Sequence, residues 1–303
     1  MKFIAIEDSS ETDSKFKPYD PSQEPIFPPE LTLKSPEYNR QPLIFKGDNM
    51  TWFRPTNLND LLELKESYPD AKLVVGNTEL GIEMKFKKQA YPTMIQPNQV
   101  PELCKITITE KGVLAGASVT LSNLEKTLED VIKSKETKCS TRIYHEIIQM
   151  LRWFAGKQIR NVGSIGGNII TGSPISDLNP IFMASNCLLT LASKDKQRSV
   201  RFDSQFYTGY RKTILKSNEI LLNILIPFTS QQEHFVAFKQ ARRRDDDIAI
   251  VNGAFYYKLD NESIIKEARM AFGGLSFVSK MALATGEYLK GKPWKPETFE
   301  GRL

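Results

Sequence analysis

The chain has 303 residues, 40% of them hydrophobic and 25% charged, with a net charge of +5. That balance is the one expected of a globular protein with one large domain or two to three smaller units. No apolar run approaches the roughly 18 residues of a membrane span, and the basic cluster Arg242–Arg244 is cancelled at once by Asp245–Asp247, which argues against a nucleic-acid groove.

Cys104, Cys139 and Cys187 are far apart, and no C-x-x-C pair exists, so neither an iron–sulfur cluster nor a zinc site can be built locally. Free thiols and an opening too short to be a signal peptide point to the cytoplasm. The two histidines, His145 and His234, stand alone, and His145 sits in a helical pattern as a partly buried structural residue.

Residues 1–46 read as a linker, because Pro18, Pro21, Pro25, Pro28, Pro29, Pro36 and Pro42 lie too close together for a helix or a central strand. Asn57 then caps a helix whose apolar face is Leu58, Leu61, Leu62 and Tyr68 and which ends near Pro69. Lys72–Val75 predicts a strand that delivers a glycine loop, Gly76 to Gly81. Ser122-Asn-Leu-Glu125 reads as a capping box opening a helix with Leu124, Leu128, Val131 and Ile132 on one face. Tyr144, Ile147, Ile148 and Leu151 mark a second helix. It runs into a second glycine loop that sets Gly163, Gly166 and Gly167 beside Ser164 and Asn168 and closes on a loop with Asp177.

Further along, Cys187–Ala192, Ser199–Phe202 and Glu219–Ile226 read as strands. Phe235–Ala241, Ala254–Leu259 and Ala268–Phe272 predict a small antiparallel sheet, with Asp260-Asn261 turning a hairpin. A helix with Met281, Leu283 and Tyr288 follows. The class is α+β.

Adjacent glycines let a backbone approach a ligand closely, and successive N–H groups in such a turn form an anion-binding nest. Two strand-linked glycine loops therefore point to a dinucleotide, although the same glycines also suit tight turns in an ordinary core. The spacing is neither the Rossmann G-x-G-x-x-G nor a P-loop, since Ile82-Glu83 stands where Lys-Ser/Thr is required.

Three blocks carry a specific resemblance: LVVGNTELGIEMKFK from Leu73, LRWFAGKQIRNVGSIGGNIITGSPISDLNP from Leu151 and FKQARRRDDDIA from Phe238. With their surroundings, from Lys17 to Gly274, they resemble the flavin domain of the xanthine dehydrogenase/aldehyde oxidase family of molybdenum hydroxylases. The resemblance implies bound FAD and a vanillyl-alcohol-oxidase (PCMH-type) fold of two mixed α/β subdomains. A C-terminal α+β subdomain like that of CO dehydrogenase flavoproteins is expected to follow. The implied domains are a linker at 1–46, the FAD-binding domain at 47–231 and the C-terminal subdomain at 232–303. In the family that subdomain continues past the point equivalent to Leu303, so the chain end is expected to be a truncation. The 2Fe–2S clusters and molybdopterin are expected on domains outside this chain.

By resemblance, the FAD contacts are Leu73, Val74, Val75, Gly76, Asn77, Thr78, Glu79, Leu80, Phe154, Ser164, Ile165, Gly166, Gly167, Asn168, Asp177, Leu221 and Lys239. Backbone donors from Gly76–Leu80 and Ser164–Asn168 are expected to neutralise the diphosphate, helped by the side chains of Asn77, Thr78, Ser164 and Asn168. Phe154 is expected against the isoalloxazine ring. Residues alone leave Phe154 equally suited to the core, Asp177 to a loop turn and Lys239 to solvent. Tyr210 corresponds to a tyrosine that contacts pyridine nucleotide. Asp246 belongs to an acidic loop that lies beside the flavin and disfavours its anionic reduced form. These two features favour a dehydrogenase that passes electrons from iron–sulfur clusters through FAD to NAD⁺. The alternatives are an aldehyde-oxidase-like module that uses O₂ and a silent fragment. Expected partners are NAD(H), the iron–sulfur and molybdenum-cofactor domains and, in the full-length enzyme, a second copy. Neither nucleic acid nor membrane is expected, and the location is cytoplasmic or, alternatively, peroxisomal.

Overall fold

A computed structural model describes residues 20–134 and 138–300. Residues 1–39 and 40–303 form two units. In the described part of the first, Asp20 caps a short 3₁₀ turn, Pro21–Gln23, by accepting from the Ser22 N–H. Helix α1, Pro29–Arg40, follows. The reading that 1–46 is too proline-rich for a helix is therefore corrected. Pro29 opens the helix at a position that needs no N–H donor. Pro36 leaves one carbonyl without a donor, but no residue of α1 is buried, so that carbonyl can be hydrated.

The second unit begins with a mixed sheet. Strands β1 (Leu43–Lys46) and β2 (Thr51–Arg54) pair antiparallel, and β4 (Thr93–Ile95) lies parallel between β2 and β3 (Lys72–Leu73). Helix α2, Leu58–Ser67, is capped as expected: Asn57 Oδ1 accepts the Asp60 N–H at 2.9 Å, and Leu61 and Leu62 are buried. β3 is two residues long rather than four. The Val74 N–H still reaches Ile95 O at 2.9 Å, after which the chain leaves the sheet for the glycine loop and helix α3, Leu80–Phe86.

A short helix α4 (Pro101–Cys104) and strands β5 (Ile106–Ile108) and β6 (Gly112–Gly116) lead to helices α5 (Leu121–Ser134), α6 (Arg142–Arg152), α7 (Lys157–Arg160), α8 (Ile165–Thr171) and α9 (Asn179–Ala184). Strands β7 (Leu188–Ala192) and β8 (Gln197–Arg201), a small hairpin of β9 (Tyr207–Gly209) and β10 (Lys212–Thr213), and β11 (Ile220–Pro227) complete this layer. The five-stranded sheet runs β5-β6-β11-β7-β8, antiparallel throughout. The cap of α5 differs from the sequence reading. Thr120, not Ser122, accepts the Asn123 N–H (3.2 Å), while Ser122 Oγ donates to Asn161 Oδ1. An antiparallel bridge between Thr120 and Ser164 fixes where this helix starts, overriding the local S-x-x-E pattern. The apolar face holds: Leu124, Leu128 and Val131 are buried.

The last sheet is antiparallel, β12 (Glu233–Ala241), β13 (Ala249–Leu259), β14 (Ile265–Gly273) and β15 (Lys280–Met281), followed by helix α10, Leu283–Leu289. Met281 thus belongs to a strand, not to the helix. Asp260 turns the hairpin by accepting the N–H groups of Glu262 and Ile264. Phe235, Ala254, Tyr256 and Ala271 of this sheet enter the same core as α5, α6, α8 and α9. Arg142 at the start of α6 donates to the carbonyls of Ser230, Gln231 and Glu233 and holds the turn between the two sheets. His145 is exposed, which corrects its partly buried assignment. Among the described residues, no helix is long and apolar enough to cross a membrane, and no cluster could hold a metal ion.

Candidate functional site

The two glycine loops meet. A Cβ on Gly76 would lie 2.1 Å from the Val162 carbonyl oxygen, and one on Gly166 would lie 2.6 Å from both Cβ and O of Ala117. These glycines serve the approach of one backbone to another. Gly167 differs: it is exposed, and its Cβ would meet only Ser164 Oγ.

Around this junction lies a cleft of about 500 Å³. Val74–Asn77 form one wall and Asn161-Val162 another, with Trp52, Asn98, Cys104 and the Ser118–Thr120 turn completing it. The loops differ in the donors they have free. In the second loop, the N–H groups of Ile165, Gly166 and Asn168 go to the carbonyls of Val119, Ala117 and Ser164, and that of Gly167 goes to Ser164 Oγ, the cap of α8. In the first, no acceptor among the described residues meets the N–H groups of Gly76, Asn77, Thr78 or Glu79, and Asn77 holds a left-handed φ of 55°. Of the donors expected from the second loop, helix capping and the Ala117–Val119 turn already occupy those of Ile165–Asn168, and the Ser164 N–H alone has no acceptor among the described residues. Asn168 is also committed inward, donating to Asn179 Oδ1 and accepting from Ser176 Oγ, both at 3.0 Å.

The remaining sequence-predicted residues fall into two places. Lys239, on β12, is buried, and its ammonium donates to Asp177 Oδ2 (2.7 Å), Trp153 O (2.8 Å) and Asp247 O (2.8 Å). It therefore joins the turn that carries Phe154, the Asp177 loop and the acidic loop, with all three of its protons used. Asp177 is buried, its Oδ1 has no partner, and burial holds its carboxyl above the ordinary value despite Lys239. Phe154 packs against the main core from a turn in which Ala155 takes φ 42°, and Arg160 clamps that turn by donating to the carbonyls of Phe154 and Ala155 at 2.6 Å each. Leu221 is a buried core residue on β11. Asp246 is exposed in the acidic loop, where its carbonyl accepts from Arg243.

Tyr210 is 60% exposed at the β9–β10 turn. Its neighbour Arg211 pairs with Glu79 and Glu83, tying that turn to the end of the first glycine loop. Sequence reasoning missed Arg160, Arg211 and the Asn179–Tyr207 bond (2.7 Å) that supports Asn168, as it missed Asn98, Cys104 and Ser118 in the cleft. Arg211 and Asn179 meet partners far away along the chain, while the contacts of Arg160 and Cys104 are short-range but follow no local pattern. A second cleft of about 570 Å³ opens between α6 and β12, lined by Lys239 and Arg242–Arg244, with the Arg152 and Arg244 guanidinium groups 4.9 and 5.1 Å from the Trp153 ring centre.

Residues 48–229 match the family described as the FAD binding domain in molybdopterin dehydrogenase. Residues 236–303 match the CO dehydrogenase flavoprotein C-terminal domain. The xanthine dehydrogenase/oxidase of Gallus gallus is 46% identical over 95% of this chain and 21% of its own length. For the xanthine dehydrogenase of Calliphora vicina the figures are 45%, 97% and 22%. The chain thus spans about a fifth of the length of these relatives. Among solved structures, a carbon monoxide dehydrogenase chain from Hydrogenophaga pseudoflava superposes with a TM-score of 0.73 at 22% identity, covering 84% of each chain. A quinoline 2-oxidoreductase chain from Pseudomonas putida 86 gives 0.69 at 21%, again over 84% of each. At that identity the structural likeness speaks to the fold alone.

Proposed function

The chain belongs to the family of FAD binding domains in molybdopterin dehydrogenases, and from that premise we propose that it passes electrons from iron–sulfur clusters to NAD⁺ in a xanthine-dehydrogenase-like enzyme that oxidises purines. It is the flavin-binding part of an oxidoreductase, with FAD as its cofactor; the other cofactors of such enzymes lie on other domains.

The residues present fit FAD. The observation that carries the reading is the row of free N–H groups that starts with Gly76 and Asn77 at the wall of a cleft, whose lining residues Ser118 and Asn98 also carry an Oγ and an Oδ1 without partners, and continues through Thr78 and Glu79. Buried polar atoms rarely stay unpaired, so the free N–H groups and the Ser118 hydroxyl are set for acceptors on a ligand, and Asn98 Oδ1 for a donor. A diphosphate supplies such acceptors, and charge-assisted bonds contribute roughly 1.5–3 kcal/mol each. Bound FAD supplies the redox chemistry that links one-electron clusters to a two-electron acceptor. The chain's own groups position it. The first loop donates to the diphosphate, and Gly167 leaves room for it. Phe154 offers its ring to the isoalloxazine from a turn fixed by Arg160 and Lys239. Asp177 and Lys239 set the local field as a buried pair, with Lys239 acting through the three segments it joins. Tyr210 offers the nicotinamide nucleotide an aromatic surface beside Arg211.

Anaerobic addition of NADH to the folded, FAD-loaded protein tests the reading. The flavin's long-wavelength absorption should bleach. Flavin that NADH leaves oxidised, in protein shown to be loaded, moves the reading to an aldehyde-oxidase-like module that uses O₂. Failure of folded protein to take up FAD leaves only a silent fragment.

A further inference from the structure

We propose that Cys104 is a modification site whose reaction with a low-molecular-weight disulfide is mutually exclusive with cofactor loading. Cys104 ends α4 and lines the same cleft as Val74–Asn77. Its residue is exposed, with Sγ donating to Asn98 O at 3.3 Å. Two further lining residues of this wall carry buried polar atoms without a partner: Ser118, 6% exposed, with its Oγ, and Asn98 with its Oδ1. The inference rests on reading this cleft as part of the cofactor's seat.

The chemistry is thiol–disulfide exchange. Cys104 gives up its proton, and its sulfur attacks one sulfur of the small disulfide. The S–S bond breaks, and the second thiolate leaves and takes up a proton, so atoms and electrons balance without another oxidant. A tripeptide adduct on Cys104 projects into a cleft of about 500 Å³, a size that holds one small-molecule ligand. Cofactor and adduct therefore compete for one space. Although the residue as a whole is exposed, partial desolvation of its sulfur by the protein holds the thiol above its ordinary value of 9.0, so the reaction accelerates as pH rises. Cys187 is buried and so is shielded from the reagent, and peptide mapping separates Cys104 from Cys139.

Oxidised glutathione is the probe. The full chain is freed of FAD, shown to be folded by circular dichroism, and treated with oxidised glutathione. Peptide mass mapping locates the adduct, and FAD is titrated by fluorescence before and after reversal with dithiothreitol. The expected result is an adduct at Cys104, FAD uptake lost while it is present, and uptake restored on reduction. With FAD held at about 100 times its Kd, adduct formation should slow about a hundredfold, because only the free protein reacts. In Cys104→Ser, FAD affinity should be the same with and without the disulfide, whatever its own value. Equal labelling of Cys104 in loaded and free protein, or unchanged FAD affinity of the adduct, overturns this inference alone. Folded, unmodified protein that takes up no FAD overturns the reading of the cleft as well, and the titration of untreated protein separates the two cases.

Discussion

A Cβ at Gly76 would sit 2.1 Å from a backbone carbonyl of the facing loop, whereas one at Gly167 would meet only the end of the Ser164 side chain at 2.9 Å. The two positions therefore predict different failures. Gly76→Val forces the loops apart and should cost about 1–3 kcal/mol of stability together with FAD binding. Gly167→Val should abolish FAD binding while leaving the circular dichroism and melting temperature close to those of the parent. A Gly167→Val protein with parental FAD affinity would show that this turn is only structural. Tyr210→Ala should slow reduction by subsaturating NADH and leave FAD content unchanged, as stopped-flow absorbance would show, because the ring is 60% exposed and packs beside Arg211, which pairs with Glu79. Lys239→Met should cost about 3–5 kcal/mol in urea unfolding, since it strands the buried Asp177 carboxylate without its partner. The lysine's burial was not legible from its strand position, because an exposed and a buried lysine look alike in an alternating pattern.

At the level of elements, periodicity placed α2, α5 and α6 well, because each buries one stripe of apolar residues and repeats every 3.6 positions. It missed α1, an exposed helix with little apolar stripe and an internal proline. The stretch into β11 illustrates a support that no periodicity reveals. Glu219, 2% exposed at its side chain, takes Arg198 at 2.8 Å and the Lys216 N–H at 2.9 Å, fixing the turn before that strand. The hydrogen bond from Arg198 holds its carboxyl below the ordinary value of 4.5. The folded state thus binds the proton less tightly than the unfolded state. The stabilisation is present above pH 4.5 and is lost as pH falls through the lower folded value. Glu219→Gln should cost about 1.5–3 kcal/mol at pH 7, the range for hydrogen bonds to charged groups. The difference from the parent should shrink below pH 4.5. Denaturant unfolding at a series of pH values checks it.

For the molecule as a whole, the proposed FAD seat draws on loops from both the mixed and the five-stranded sheet layers, with Lys239 of the third sheet bracing the turns beside it. FAD at about 100 times its Kd should therefore stabilise the whole second unit by about 2.7 kcal/mol, seen as a rise of several degrees in melting temperature. Acid precipitation should release all the yellow colour to the supernatant, because neither glycine loop contains His or Cys; colour retained in the pellet counts against non-covalent binding. Arg142→Ala should speed proteolysis near 230–233 without removing either sheet, since that side chain holds the turn between them.

The sequence by itself determined the elements that depend on near neighbours: amphipathic helices, the Asn57 cap, the glycine turns and the Asp260 hairpin. Its three blocks also determined the family. Only the tertiary structure decided which donors are free. The N–H groups of Ile165–Asn168 are equivalent in sequence to a binding nest, yet Ala117, Val119 and Ser164 occupy them, while those of Gly76–Glu79 have no acceptor among the described residues. Hydrogen-bond satisfaction is a property of everything that surrounds a group. Residues forty or more positions away, such as Ala117 beneath Gly166, therefore settle which part of a glycine-rich loop is left to hold a ligand.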